Sequence, residues 1–167
     1  MGNRAGPEMS LREAGILLVL GAIVGTGAYQ DIRFRHLPHW LCALALVAGL
    51  GLGVMQGGIG WFWMSLLHAT IALLAGMGLF AIGAVGGGDA KYYAALAAWF
   101  PLRQGLQFFV MVTLAGLVLL VAYYLLRPRR PRGGIPRQKD DPFEKLPYGV
   151  AISLGALLAQ ASVQTGT

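Results

Sequence analysis

Long apolar runs, interrupted by short polar breaks, dominate the pattern of the chain. A membrane-spanning helix needs about 17–25 predominantly apolar residues. Runs of this kind cover 14–30, 40–59, 61–85, 105–126 and, slightly short, 147–163. A further apolar segment, 90–100, is shorter still and stops at Pro101. The pattern predicts an all-α, polytopic membrane protein of about six transmembrane helices, of which helix 4 is short.

The distribution of basic residues predicts which side of the membrane each loop faces. With six crossings, one side holds the predicted turns at 56–60 and 101–104 and carries Arg4, Arg12 and Arg103, and the opposite side carries the other ten of the 13 basic residues. Cytoplasmic loops are enriched in Lys and Arg, so the second side is predicted to be cytoplasmic and both chain ends to lie outside. The long polar segment 127–146 is then a flexible or extended cytoplasmic loop of a single membrane-embedded domain, 1–167.

Composition agrees with lipid as the solvent and excludes several classes of function. Hydrophobic residues make up 56% of the 167-residue chain and charged residues 12%, about half the usual share in soluble domains. The net charge of +6 comes from residues beside apolar segments, so membrane topology explains it better than nucleic-acid binding. The single cysteine, Cys42, cannot form a disulfide framework. No spacing of His, Cys and carboxylate residues suggests a metal, and we expect no cofactor. Cys42 and His68 are interpreted as interior packing groups.

Two carboxylates stand apart from the other acidic residues, which lie in the outer N-terminal region or the charged loop. Asp31 and Asp89 each adjoin an apolar run, and the predicted topology puts both at the cytoplasmic side. Singly, each has a structural explanation: Asp31 could pair with Arg35 at i+4, and Asp89 could be the N-cap of helix 4. Two carboxylates near a membrane on the same face indicate a functional site.

The run Gly86-Gly87-Gly88-Asp89 ends an apolar segment without a charged stop. A helix over 89–100 would extend only about 18 Å, well short of a hydrocarbon core of about 30 Å, so Asp89 is expected below the membrane surface. Irregular backbone at that depth lines protein or a water-filled cavity. The three glycines also let another chain approach closely, which makes them candidate substrate-binding residues. A bent, packed helix junction is the alternative.

Three blocks of residues together resemble those of a known family. They are Asp31-x-Arg33-x-Arg35-His36-Leu37-Pro38, Gly86-x-Gly88-Asp89-x-Lys91 and Pro147-Tyr148-Gly149. In this order and separation the chain resembles the prepilin peptidases, membrane aspartic proteases of the GxGD type. One departure is His39, where the family commonly has Asn. The compact size resembles the minimal class that serves tight-adherence (Flp-type) pili.

The resemblance implies an endopeptidase that removes the leader of prepilin or pseudopilin precursors at the cytoplasmic face of the bacterial inner membrane. It implies that Asp31 and Asp89 are the catalytic pair and that cleavage follows a Gly. Larger relatives carry an additional cytoplasmic domain with paired cysteines and also N-methylate the product. The loop between helices 1 and 2 is too short for that domain, so methyltransferase activity is not expected.

Helix position suggests roles for the residues of the site. Hydrolysis by two carboxylates needs one ionised and one protonated group. Asp89, near a helix N-terminus, is predicted to be the base, and Asp31, at a helix C-terminus, to hold the proton. Pro147 suits the first turn of the last helix. Tyr148 and Gly149 would then stand level with the pair and line the substrate cleft, although a plain helix start is the alternative.

Two other functions remain open from the sequence. A protease of the same GxGD type with a non-pilin substrate would use the same residues. A non-enzymatic membrane subunit could use the carboxylates as a proton or cation relay, but that leaves the block at 147–149 and the short helix 4 unexplained. The oligomeric state is open.

Overall fold

The computed structural model describes residues 11–34, 37–126 and 148–165, and these residues form helices and short connections without a strand. The helices are α1 (Leu11–Phe34), α2 (His39–Ala81), α3 (Gly87–Ala97), a short 3-10 helix (Leu102–Gln104), α4 (Gly105–Leu126) and α5 (Tyr148–Thr165). The predicted all-α class is confirmed. The loop predicted at 127–146 lies outside the described residues, as do Arg35, His36 and Pro147.

Among the residues that the structure describes, three helical segments are long and apolar enough to cross a membrane: Leu11–Phe34, His39–Ala81 and Leu102–Leu125. The apolar segment Tyr148–Gln164 is shorter. These segments support a membrane protein, whereas the count of six crossings stays a prediction. α3 has 11 residues, about 16 Å of helix, so helix 4 is short, as the sequence predicts.

α2 bends back on itself at Gly58, where φ is 68° and ψ is −158°. This left-handed region favours glycine because a Cβ would clash there. A Cβ on Gly53 would lie 2.7 Å from Cδ1 of Trp61, although residues eight apart in one straight helix are about 12 Å apart. The chain therefore reverses, and the halves 39–57 and 59–81 run antiparallel. The bend falls inside the turn predicted at 56–60.

The helices form two groups whose main contacts are internal. α3 packs chiefly against α2, whereas α5 packs against α1 and α4. Six of the 11 residues of α3 are buried, and one of them, Tyr92, has no exposed surface. Phe108 of α4 lies between Phe100 and Tyr93, with both ring centroids 4.9 Å away. Because α3 lies among other helices, Asp89 in its first turn is held against the bundle and is partly buried.

Trp99, which follows α3, anchors this segment to α2. Its Nε1 donates a hydrogen bond of 2.9 Å to the carbonyl of Ala45, and its ring lies on Gly49. We expect Trp99→Phe to lower the free energy of unfolding by about 1 kcal/mol through the lost hydrogen bond, with a further loss from the cavity. Thermal unfolding in detergent measures the change. Trp63→Phe is the control, because Trp63 is 60% exposed; equal shifts for both variants would contradict the anchor.

Candidate active site

Asp31 lies in the last turn of α1 and points toward the start of α5. It is 7% exposed, and its Oδ2 accepts a hydrogen bond of 3.2 Å from the backbone N–H of Val150. Val150 is the third residue of α5, so its N–H is one of those that lack a partner within the helix. A carboxylate at this position also meets the positive end of the α5 dipole. Asp31 thus provides, from the last turn of α1, an acceptor for a backbone donor at the start of α5.

Gly149 allows this close approach. A Cβ at this position would lie 2.8 Å from Oδ2 and 2.9 Å from Cγ of Asp31. The sequence predicts that Gly149 lines the substrate cleft, and the structure places it directly against Asp31. Tyr148 is 53% exposed at the same end of α5. The third residue of this block, Pro147, lies outside the described residues.

Asp89 is the third residue of α3 and is partly exposed. The alternative of Asp89 as an N-cap is wrong, because Gly86 is the N-cap and the helix begins two residues before Asp89. A Cβ on Gly86 would lie 2.8 Å from Oδ2 of Asp89, so the carboxylate lies back over this glycine. Gly87 stands beside the ring of Phe80, where a Cβ would be 3.3 Å from Cε2. Gly88 stands beside Leu37, where an added Cβ would be 3.9 Å from the Cβ of Leu37.

The two carboxylates are close enough to interact electrostatically. Asp89 lies outside the three candidate membrane spans. Its pKa is raised to about 6, first by burial and then by the negative charge of Asp31. Because a second negative charge nearby is costly, such a pair favours the state in which only one of the two carboxyls is ionised. The structure thus brings together the two aspartates that the sequence singles out.

Tyr92, one helical turn after Asp89, was missed by sequence reasoning. Its hydroxyl lies 3.0 Å from Oγ of Ser153 in α5, and both side chains are buried. It also contacts Gly27 of α1. A tyrosine within an apolar segment is typical of a lipid-facing or core position, so neither spacing nor composition indicated this contact. The one signal in the sequence was the presence of tyrosine, a large side chain with a hydroxyl group, among the alanines of 90–98.

His68, Cys42 and Lys91 lie away from the two aspartates. His68 is 5% exposed and its Nδ1 donates to the carbonyl of Phe100 at 3.0 Å, which confirms it as an interior group. Cys42 is half-buried and packs against the core. Lys91 is exposed and shares a groove of about 280 Å³ with Cys42 and His39, between α3 and the two halves of α2.

Comparison with protein families identifies a related family. The sequence model of the type IV leader peptidase family matches residues 17–121, which is well over half of the chain. The matched region contains Asp31, Asp89 and the glycines before Asp89, and it ends before α5. No curated protein and no solved structure matches the chain significantly. The chain belongs to the type IV leader peptidase family.

Proposed function

We propose that this protein is an aspartic-type endopeptidase that removes the leader peptide of type IV, Flp-like prepilins. Membership of a leader peptidase family implies precursors of the pilin type as substrates in general. The observation that carries the aspartic mechanism is the pairing of Asp31 and Asp89, two carboxylates from different helices whose charges interact. Each is packed against a glycine, Gly149 or Gly86, that leaves room for its side chain.

The surroundings of the pair support one assignment of roles. Asp31 accepts the Val150 N–H at the N-terminus of α5, and burial together with the charge of Asp31 raises the pKa of Asp89, which favours the protonated form of that carboxyl. We therefore assign Asp31 as the base and Asp89 as the acid. These roles are the reverse of those expected from the sequence. That expectation used only the helix that carries each aspartate and did not include the N-terminus of α5.

The assignment leads to a balanced reaction. Asp31 takes a proton from a water molecule while the oxygen of that water attacks the scissile carbonyl carbon. At the same time Asp89 donates its proton to the carbonyl oxygen. In the second step the C–N bond breaks. The proton on Asp31 passes to the leaving amine, and a hydroxyl proton of the tetrahedral intermediate returns to Asp89. Both carboxyls end in their starting states, and no metal or cofactor is required.

We propose that the substrate reaches the pair from the cytoplasmic face of the inner membrane. The asymmetry of basic residues supports this side. Gly86 and Tyr148 are both exposed at the level of the aspartates. The precursor would then lie between the glycines Gly86, Gly87 and Gly88 and the block Pro147-Tyr148-Gly149. This extends the substrate cleft proposed for the last block to both sides of the pair.

The test of this function is cleavage of a precursor in cells. The protein is coexpressed with a candidate Flp-type prepilin, and the size and the N-terminal sequence of the product are determined. We expect a new N-terminus directly after a Gly that precedes the hydrophobic stem. A folded protein that leaves the Flp-type precursor intact would contradict the substrate assignment. Cleavage elsewhere in the precursor would contradict the assignment of the leader junction.

The rate of cleavage is expected to fall as the pH rises through about 6. The active pair carries one proton, and Asp89, whose pKa is raised to about 6, loses it above that pH. At saturating substrate we expect a decrease of about tenfold per pH unit on this limb. Ionisation of Asp89 also lowers stability, as the pH rises from the unfolded pKa of 3.8 to the folded pKa of about 6, because the folded protein holds this proton more tightly in that range. The thermal midpoint is therefore recorded at each pH, and a rate that stays flat from pH 6 to pH 8 would contradict the assignment.

A further inference from the structure

Tyr92 connects the two groups of helices that carry the aspartates. Asp31 belongs to the group of α1, α4 and α5, and Asp89 to the group of α2 and α3. α3 contacts α5 much less than it contacts α2. Across this boundary the hydroxyl of Tyr92 lies 3.0 Å from Oγ of Ser153. The hydrogen bond is therefore a direct tie between the helix that carries Asp89 and the helix that binds Asp31.

The Tyr92 hydroxyl is buried and closely packed against neighbouring helices. Tyr92 has no exposed surface and Ser153 is 3% exposed, so water does not replace this hydrogen bond. Gly27 of α1 is buried beside them. A Cβ on Gly27 would overlap the Tyr92 hydroxyl and lie 2.7 Å from Cζ. Three helices thus converge on one phenol group, and the site admits little movement of the ring.

Gly27, Tyr92 and Ser153 each lie one helical turn from a residue of the site: Asp31, Asp89 or Val150, the backbone donor to Asp31. Gly27 precedes Asp31 by four residues, Tyr92 follows Asp89 by three, and Ser153 follows Val150 by three. Residues three or four apart lie on the same face of a helix. The contact of Tyr92 and the pair of carboxylates therefore occupy neighbouring levels on the same faces of the same three helices. A change in helix separation at one level changes the separation at the other.

We propose that Tyr92 is a positioning residue that, through Ser153 and Gly27, sets the separation of Asp31 and Asp89. The proposal rests on the proposed function for its effect on catalysis, but its geometric part does not. Without the hydrogen bond, α3 remains attached to α2 and moves with it relative to α1 and α5. The carboxylates then spend less time at the separation that the reaction needs, so the turnover number falls while substrate binding is unchanged.

The kinetic test compares Tyr92→Phe and Ser153→Ala, singly and together, with wild type. Each single variant is expected to lower kcat roughly tenfold with KM unchanged, since small misplacements of catalytic groups are costly. The double variant is expected to resemble the single ones, because all three lack the same hydrogen bond. Tyr93→Phe is the matched control, since the adjacent Tyr93 stacks on Phe108 of α4. A rise in KM alone, additive losses, or an equal loss in Tyr93→Phe would overturn the proposal.

A second measurement does not depend on proteolysis. In a Cys42→Ala background, cysteines introduced as Asp31→Cys and Asp89→Cys are cross-linked with a short bifunctional maleimide in membranes. Adding Tyr92→Phe is expected to slow cross-linking several-fold, whereas adding Tyr93→Phe leaves the rate unchanged. Equal rates with and without Tyr92→Phe would overturn the proposal even for an active enzyme. If wild type cleaves no precursor but the rates differ as expected, the proposed function fails and the positioning role stands.

Discussion

Replacing either Asp31 or Asp89 with Asn is expected to abolish cleavage of the precursor, with a decrease in rate of about 10³-fold or more. Each substitution keeps the size of the side chain and removes a group that accepts or donates a proton in the reaction. The amide oxygen of Asn at position 31 can still accept the Val150 N–H, so the start of α5 keeps its partner. The loss should therefore be one of chemistry rather than of folding.

The measurement is the initial rate of precursor cleavage in detergent-solubilised membranes, at equal amounts of folded enzyme. Asp140→Asn is the matched control, because Asp140 belongs to the charged loop predicted from the sequence and has no proposed part in the reaction. Wild-type activity of this control shows that loss of an aspartate alone has no effect. If either Asp31→Asn or Asp89→Asn keeps more than about a tenth of the wild-type rate, the two-carboxylate mechanism is wrong.

Gly149→Ala is expected to lower kcat by about 10²-fold without a comparable change in KM. The new Cβ would stand 2.8 Å from Oδ2 of Asp31, so either the carboxylate or the start of α5 has to move. Both movements weaken the hydrogen bond from Val150 and move the base away from the N-terminus of α5. A methyl group that only narrowed the substrate cleft would instead raise KM.

Gly25→Ala is the control for this substitution. Gly25 is exposed on α1, and a Cβ there meets no atom within 4 Å. Alanine favours the helix at both positions, so a difference between the variants reports the contact with Asp31. Cleavage kinetics over a range of substrate concentrations separate kcat from KM. A Gly149→Ala enzyme with wild-type kcat would contradict the role of Gly149 in holding Asp31.

Features that depend on local pattern could be predicted from the sequence. The turn at 56–60 follows from glycines between two apolar runs, and the short α3 follows from the distance between Gly88 and Pro101. The same reasoning singled out Asp31 and Asp89, because a carboxylate beside an apolar run is rare and conspicuous. The helix boundaries were less accurate: α3 begins at Gly87, so Asp89 lies within its first turn.

Contacts between distant helices could not be predicted in this way. The partner of Asp31, Val150, is 119 residues away and acts through its backbone N–H, which leaves no mark in the choice of side chain. Gly149 stood out in the sequence, but the reason for a glycine there is visible only once Asp31 is placed beside it. The contact between Tyr92 and Ser153 spans 61 residues and joins two side chains common in apolar helices.

The position of Asp31 at the start of α5 has a consequence for biosynthesis. Both aspartates are translated before α5, yet the backbone N–H that donates to Asp31 arrives 119 residues later. On the proposed mechanism, a nascent chain that has emerged only as far as α4 holds both catalytic side chains and lacks the group that activates one of them. On the same mechanism, the catalytic pair is complete only once α5 has packed against α1, so that chains that stop short of α5 are expected to have no proteolytic activity.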